Sequence, residues 1–405
     1  MSYAGAHEEG LSLCLESLIG SPKREMYSRP QGGDVTRSWL MVLAFPAVLA
    51  AQERSFMRTD RYVLGIEQYL SAGLTFADID GDGDMDAVVA NGRHWPQPNE
   101  VFVNNGTGRF TVSYELGPHA TTYAVPSGDL DGDGDFDLVV ANDSAENWVY
   151  LNDGSGHFEP AWPVGAELEP TRSAQLYDLD GDGDLDLLIT NRGTSNGFFL
   201  NDGSGRFGPK REFGEPQGST IAVAVGDVDG DGNPDLVLAN RDGQANHILL
   251  NDGRLGFPQK RSYGTGSDET RSAALADLNG DNILDIVNVN IGEPNRIYLG
   301  DGSGGFDRGT SVGGSEQSYA LELVDVDRDG DIDVVVANVR GRNELYLNDG
   351  TGTEWIRTPI GEESYVTYGV AAADLNGDGF VDLGFANSSG PNLIFLNVEA
   401  GRNRD

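Results

Sequence analysis

Apolar and polar positions along this chain fall into short blocks that recur every 48 to 51 residues, seven times in all. Each repeat holds a run of small and apolar residues, then a run apolar on both faces, such as residues 138–141, 187–190 and 334–337. An alternating run follows, for example residues 148–151 or 344–347. A turn of the type Asn-Asp-Gly-Ser-Gly closes it at residues 152–156 and 201–205, with a variant at 300–304. A last run starts after Phe110, Phe158, Phe207, Phe257 or Phe306. Short runs bounded by Asn/Asp-Gly turns predict strands joined by hairpins. Four strands per repeat, seven times over, predict an all-β chain folded as a seven-bladed β-propeller.

The doubly apolar run reads as the second strand of each blade, covered on both faces by neighbouring blades. Asn288 interrupts it in the fifth copy and is expected to find a buried partner. Ahead of the second strand, small residues alternate: Gly128, Pro126, Ala124; Gly226, Ala224, Ala222; Ala373, Ala371, Gly369. Strands crowd together at a propeller axis, so these are expected to be innermost. The seventh repeat ends after its third strand, residues 393–397, and residues 56–64 resemble the fourth-strand segment 110–116. This predicts that an N-terminal strand completes the last blade, removing two open sheet edges.

Between the first and second strands of every repeat lies an acidic nonapeptide, reading Asp-Leu-Asp-Gly-Asp-Gly-Asp-Leu-Asp at residues 178–186. Side chains at positions one, three, five and nine, with the backbone carbonyl at seven, offer hard oxygen donors to one calcium ion. The candidate donors of the first copy are Asp78, Asp80, Asp82, Asp84 and Asp86. In the second they are Asp129, Asp131, Asp133, Asp135 and Asp137, and in the third Asp178, Asp180, Asp182, Asp184 and Asp186. The fourth offers Asp227, Asp229, Asp231, Asn233 and Asp235; the fifth offers Asp277, Asn279, Asp281, Ile283 and Asp285. The sixth has Asp325, Asp327, Asp329, Asp331 and Asp333, and the seventh Asp374, Asn376, Asp378, Phe380 and Asp382. Ile283 and Phe380 at position seven suit only a carbonyl donor. Position six is glycine except for Asn282, as a left-handed turn requires. Asn279 and Asn376 carry less charge, so the fifth and seventh sites are expected to bind most weakly. Up to seven calcium ions are expected. An EF-hand is excluded, because position twelve is apolar or Asn rather than Glu.

Charge follows from these loops. The chain carries −38, of which the 30 loop aspartates account for −30 and all other charged residues together for −8. Such acidity argues against nucleic acid as a partner. Residues 39–49 are apolar, preceded by Arg29 and Arg37 and followed by Ala50 and Ala51. That pattern predicts a signal peptide, too short to span a membrane, with Met26 the better start. The expected organisation is an extension and signal peptide over 1–51, a propeller over 52–397 and a polar tail over 398–405. Cys14, the only cysteine, lies ahead of the predicted cleavage, so calcium rather than disulfides would cross-link the secreted or surface-exposed (in a bacterium, also periplasmic) chain.

Seven acidic loops on seven propeller repeats resemble the FG-GAP/VCBS repeat family, whose members include the integrin α-subunit head; the likeness spans residues 54–397. The resemblance implies calcium loops on the lower face and ligation by the positions named above. It assigns no activity, since the family includes adhesion heads, lectins and repeats appended to enzymes.

The opposite face varies most between copies. Its longest loop, residues 92–98, carries Arg93, His94 and Trp95. Six residues before each acidic loop stand Ala72, Tyr123, Arg172, Ile221, Arg271, Tyr319 and Tyr368. These are expected to ring the mouth of the axial channel, where tyrosines and arginines can hold a sugar or a carboxylate. The plain alternative pairs the arginines with Glu169 and Glu269. Summed over its loops this face carries −6, which excludes long-range attraction of a polyanion. No zinc spacing, nucleophile elbow, phosphate loop or dinucleotide fingerprint occurs, and no catalytic residue is assigned. The reading is a monomeric binding or adhesion module for a carbohydrate or a cell-surface protein. The alternative is a polysaccharide lyase using His94, Tyr123 and Arg172, and a third reading is a calcium-stiffened spacer.

Overall fold

The computed structural model describes residues 54–58, 61–165 and 168–400, which contain strands and turns and no α-helix. The predicted signal peptide, Met26 and Cys14 lie outside the described residues. Seven antiparallel sheets follow one another in chain order, each one blade of a propeller. Blade 3 shows the plan: Thr171–Tyr177, Asp186–Asn191, Asn196–Phe199 and Arg211–Phe213 lie side by side in that order. In blade 2 the first strand is broken into Thr122–Ala124 and Ser127–Gly128 around Pro126, which has no amide hydrogen to give.

The doubly apolar runs are the second strands, and every residue of Asp137–Asn142, Asp186–Asn191, Asp235–Asn240 and Asp333–Asn338 is buried. Their side chains fill layers between blades. Val88 and Val101 of blade 1 meet Leu138, Val140 and Tyr150 of blade 2 in one such layer. Burying each Val or Leu fully contributes about 1.5–3 kcal/mol, so the ring is held chiefly by these seams. Asn288 finds half of its expected satisfaction. It accepts a 3.2 Å hydrogen bond from the buried Tyr263 hydroxyl, and its Nδ2 has no partner.

The ring closes three plus one. Arg54–Met57 pairs with Asn392–Glu399, Met57 opposite Leu396, and Val63–Leu64 continues along the same strand. That strand outruns its predicted end: Val398, counted above with the polar tail, is buried. Fourth strands also start later than predicted in blades 3 to 5. Phe207 and Phe306 make only isolated bridges, to Asn201 and Gly300.

Glu322 sits on the innermost strand of blade 6, Ser318–Val324, half-buried and with no hydrogen bond or ion pair among the described residues. Burial alone pushes its carboxyl up to about 7. The folded value exceeds the unfolded one, so stability is lost as pH rises from the ordinary carboxyl range through 7. Glu322→Gln should therefore raise the melting point at pH 8 by an amount equivalent to ~1–3 kcal/mol. At pH 5 the gain over the parent should largely vanish. Equal melting of the two proteins at pH 8 contradicts the assignment.

Candidate functional sites

The acidic loops are built the same way in every blade. In copy three, Asp178 accepts from the amides of Gly181 (2.8 Å) and Gly183 (3.1 Å), and Asp182 accepts from Asp184 (3.0 Å). This winding needs a left-handed backbone at positions four and six, where Gly181 and Gly183 have φ of 76° and 97°. Asn282 and Arg328 take the same conformation in copies five and six, both at φ 63°.

Position nine does more than the spacing suggested. Asp186 is buried, and its two oxygens accept from Leu179 N (3.0 Å) and Asn201 N (2.8 Å). The loop is thereby tied to the hairpin turn two strands later. The same bracket recurs at Asp86, Asp137, Asp235, Asp285, Asp333 and Asp382. Asn201 then reaches the preceding blade, donating from Nδ2 to Leu130 O at 2.8 Å. One carboxylate thus braces its own blade and indirectly its neighbour. Burial pushes Asp137, Asp186 and Asp235 up to about 6, and Asp86, Asp333 and Asp382 up to about 7, against the pull of the bound amides.

Three carboxylates come within 4.8 Å of one another in five copies. The groups are Asp78, Asp80 and Asp82; Asp129, Asp131 and Asp137; Asp178, Asp180 and Asp186; Asp227, Asp229 and Asp235; Asp325, Asp327 and Asp333. Asp78, Asp80 and Asp229 each have one buried carboxylate oxygen, Oδ1, without a hydrogen-bond partner. Crowded like charges and orphaned oxygens are the donor set a divalent cation satisfies, so these clusters can hold metal ions. Among the described residues copies five and seven form no such group, having Asn279 and Asn376 at position three. Copy seven is disfavoured further. Arg54 and Arg328 stack on Phe380, 3.4 and 4.5 Å from its centroid, placing two positive charges beside the loop.

At the other end of the blades, the predicted ring positions share one backbone feature. Every inner strand from blade 2 to blade 7 slips its register by one residue near its start. The residue skipped is Tyr123, Arg172, Ile221, Arg271, Tyr319 or Tyr368. A bulge leaves its residue unpaired and re-aims the side chain. That is why six different blades can offer side chains to one place.

Several of them meet. Tyr319 and Tyr368 pack edge to face at 4.7 Å between ring centroids, and Arg93 lies 3.5 Å from the centroid of Tyr368 and 5.6 Å from that of Tyr319. Arg93 Nη1 is 3.0 Å from His94 Nε2, and its Nε is buried without a partner. Arg172 lies over Tyr123 at 4.5 Å and pairs with Asp143 at 2.9 Å. Burial and the charges of Arg93 and Arg172 hold His94 below the usual imidazole range, so both guanidinium groups act on one point. Arg271 is buried and pairs with Glu269 at 3.2 Å, as the plain alternative required. Arg172 departs from it, since Glu169 is taken by Lys210. Trp95 is 71 % exposed and stands apart from these contacts. The face as a whole is acidic, but Arg93, Arg172 and Arg271 outnumber their acidic partners Asp143 and Glu269 at its centre.

The model of the FG-GAP-like repeat matches residues 78–140, 129–189, 178–238, 227–288, 279–336 and 325–385. The chain belongs to the FG-GAP-like repeat family. Each match in this FG-GAP chain runs from one acidic loop to the second strand of the next blade, so six matches take in all seven loops. No curated protein matches it in sequence. Among solved structures it is similar to the BP39L lectin from Burkholderia pseudomallei, with a TM-score of 0.66 and 13% identity over 83% of this chain and 98% of that one. BBS1N in complex with ARL6DN gives a TM-score of 0.59 and 15% identity over 87% and 99%. The WD40 domain from Toxoplasma gondii coronin gives 0.59 and 12% over 87% and 88%. Identities this low speak to the fold alone. Among the described residues no helix is long and apolar enough to cross a membrane.

Proposed function

We propose that this FG-GAP propeller is a secreted, calcium-stabilised binding module whose axial mouth holds a carbohydrate or a protein ligand. The observation that carries the reading is the convergence of Arg93, from the loop at residues 92–98, with Tyr123, Arg172, Tyr319 and Tyr368, supplied by separate blades and each set at a bulge. Aromatic faces beside arginines suit sugar rings and acidic groups. Propellers of similar fold include a lectin and a partner in a protein complex, which supports binding as the shared use of the shape.

Calcium would be held by positions one, three, five and nine, with the position-seven carbonyl, most firmly in the five copies that group three carboxylates. When bound, the ion cross-links each loop and cancels the repulsion among its carboxylates. The chain's own part is to wind the loop onto Asp178 and its equivalents and to anchor it through Asp186 and its equivalents.

The reading is tested on glycan and cell-surface protein arrays, with Arg93→Ala and Tyr368→Ala as companions. The parent should bind, and both variants should lose at least tenfold in affinity at unchanged melting temperature. Retained binding in both variants would falsify the axial site. A lyase reading is favoured by one observation: His94, whose proton affinity is lowered by burial and by Arg93 and Arg172, lies 3.0 Å from an arginine able to neutralise a uronate. Release of an unsaturated uronate from an acidic polysaccharide, abolished by His94→Ala, is its signature.

A further inference from the structure

The seventh acidic loop does not fit the ion that its counterparts are built for. In the second, third, fourth and sixth copies the carboxylates at positions one, three and nine crowd within 4.8 Å of one another. In the seventh, Asn376 stands at position three, and its amide is already committed. Its Oδ1 accepts from Asp378 N at 2.9 Å, which fixes the way the amide points. Nδ2 therefore faces Asp382 and donates to its Oδ2 at 3.2 Å. Two positions that an ion bridges elsewhere are here joined by a hydrogen bond. Asn279 of copy five also accepts from its loop, from Asp281 N at 3.0 Å, but among the described residues gives no hydrogen bond to Asp285.

Positive charge arrives from two other segments. Loop six alone carries an arginine at position four, Arg328, where the other six copies have glycine. Its backbone takes φ 63°, which is unfavourable for a long side chain, and its guanidinium crosses to blade 7. There Nη2 lies so near position six that a Cβ on Gly379 would stand 2.7 Å from it. Arg328 meets the Phe380 ring at 4.5 Å, and Arg54 of the N-terminal strand meets the same ring at 3.4 Å. The negative face of an aromatic ring attracts a guanidinium. A divalent ion in this loop would face two fixed cations, with one carboxylate fewer than the five clustered loops offer.

The same residues close the ring. Asn397 is the node: its amide donates to Asp382 Oδ1 at 2.7 Å, and its Nδ2 donates to Val326 O of loop six at 2.8 Å. Its Oδ1 accepts from Arg54 Nε and its carbonyl from Arg54 Nη2, both at 2.9 Å. The N-terminal strand, loop six and loop seven are thereby tied through protein groups alone.

We propose that the seventh loop takes no calcium and that Arg54 and Arg328 stand in for the ion, so the ring is clasped shut independently of calcium. The inference rests on calcium filling the clustered loops, and it exempts the closing seam from that dependence. Removing calcium then loosens the acidic loops of other blades while the N-terminal strand stays in place.

Equilibrium dialysis of the full chain in millimolar calcium tests this by counting bound ions. The parent should hold five or six, the sixth being that of copy five. Arg328→Gly combined with Asn376→Asp gives loops six and seven the residues that copy three has at those positions. This double variant should bind one ion more than the parent, since only Arg54, held by Asn397, is left beside the loop. Asn376→Asp alone should add none. Arg54→Ala should lower the melting temperature by roughly 2–6 °C, equally in calcium and in chelator. Seven ions on the parent, no gain in the double variant, a gain from Asn376→Asp alone, or an Arg54→Ala loss confined to one medium overturns the proposal. A parent that binds no calcium at all overturns the calcium reading together with it.

Discussion

Stripping calcium from the purified protein should lower its melting temperature by roughly 3–10 °C, and returning millimolar calcium should restore it. Extracellular calcium modules in general bind with dissociation constants on the order of 10⁻⁴–10⁻³ M. At millimolar calcium each occupied site then adds about 0.4–1.4 kcal/mol by mass action. The five clusters that group three carboxylates together supply ~2–7 kcal/mol, while copies five and seven contribute little. For a domain of this size, 1 kcal/mol shifts the midpoint by about 1–2 °C. Two substitutions divide the effect. Asp182→Ala removes an exposed ligand, so it should lower the midpoint in calcium and match the parent after chelation. Asp186→Ala orphans two buried amides, at about 1–3 kcal/mol each, and should lower the midpoint in both conditions. Identical melting curves with and without chelator would contradict the cation role for the whole chain.

The repeat, the blade count and the strand order were legible because they are written in local periodicity. A doubly apolar run can only be a strand covered on both faces, and Asp137–Asn142 or Asp333–Asn338 is buried end to end. The acidic clusters were legible for the same reason, since nine consecutive residues make one loop. What the spacing could not show is long-range. The brackets from Asp186 to Asn201 and from Asn201 to Leu130 span 15 and 71 residues of sequence. The positions of Tyr123, Arg172, Tyr319 and Tyr368 were read from their offset to the acidic loops, and the structure brings Tyr319 against Tyr368 and Arg172 over Tyr123. The cause, a one-residue bulge in each strand, leaves no mark in the composition of those strands. The cationic centre was missed, because summing charges over a face averages Arg93 with distant acids.

Deleting residues 52–64 should be the most damaging change short of the core. The described part of this segment supplies the outer strand of blade 7, pairing from Arg54 opposite Glu399 to Leu64 opposite Asn392. Leu64 is 1 % exposed, and Phe56, Met57 and Val63 pack against the layers on either side of blade 7. One fully buried and three half-buried side chains amount to roughly 4–7 kcal/mol, a large share of the 5–15 kcal/mol by which domains are ordinarily stable. The loss spreads inward along named bonds. Arg54 holds Asn397 by its side chain and its carbonyl, both at 2.9 Å. Asn397 in turn donates from its amide to Asp382 and from Nδ2 to Val326 O of blade 6. Without the strand, Asn392–Glu399 becomes an exposed edge open to pairing with another copy. The truncated protein should therefore melt at least 6 °C lower and aggregate on heating. A synthetic peptide of residues 52–65, added in excess, should recover much of the loss. An unchanged midpoint, or a peptide without effect on a destabilised truncation, would mean that the ring is not held shut by this strand.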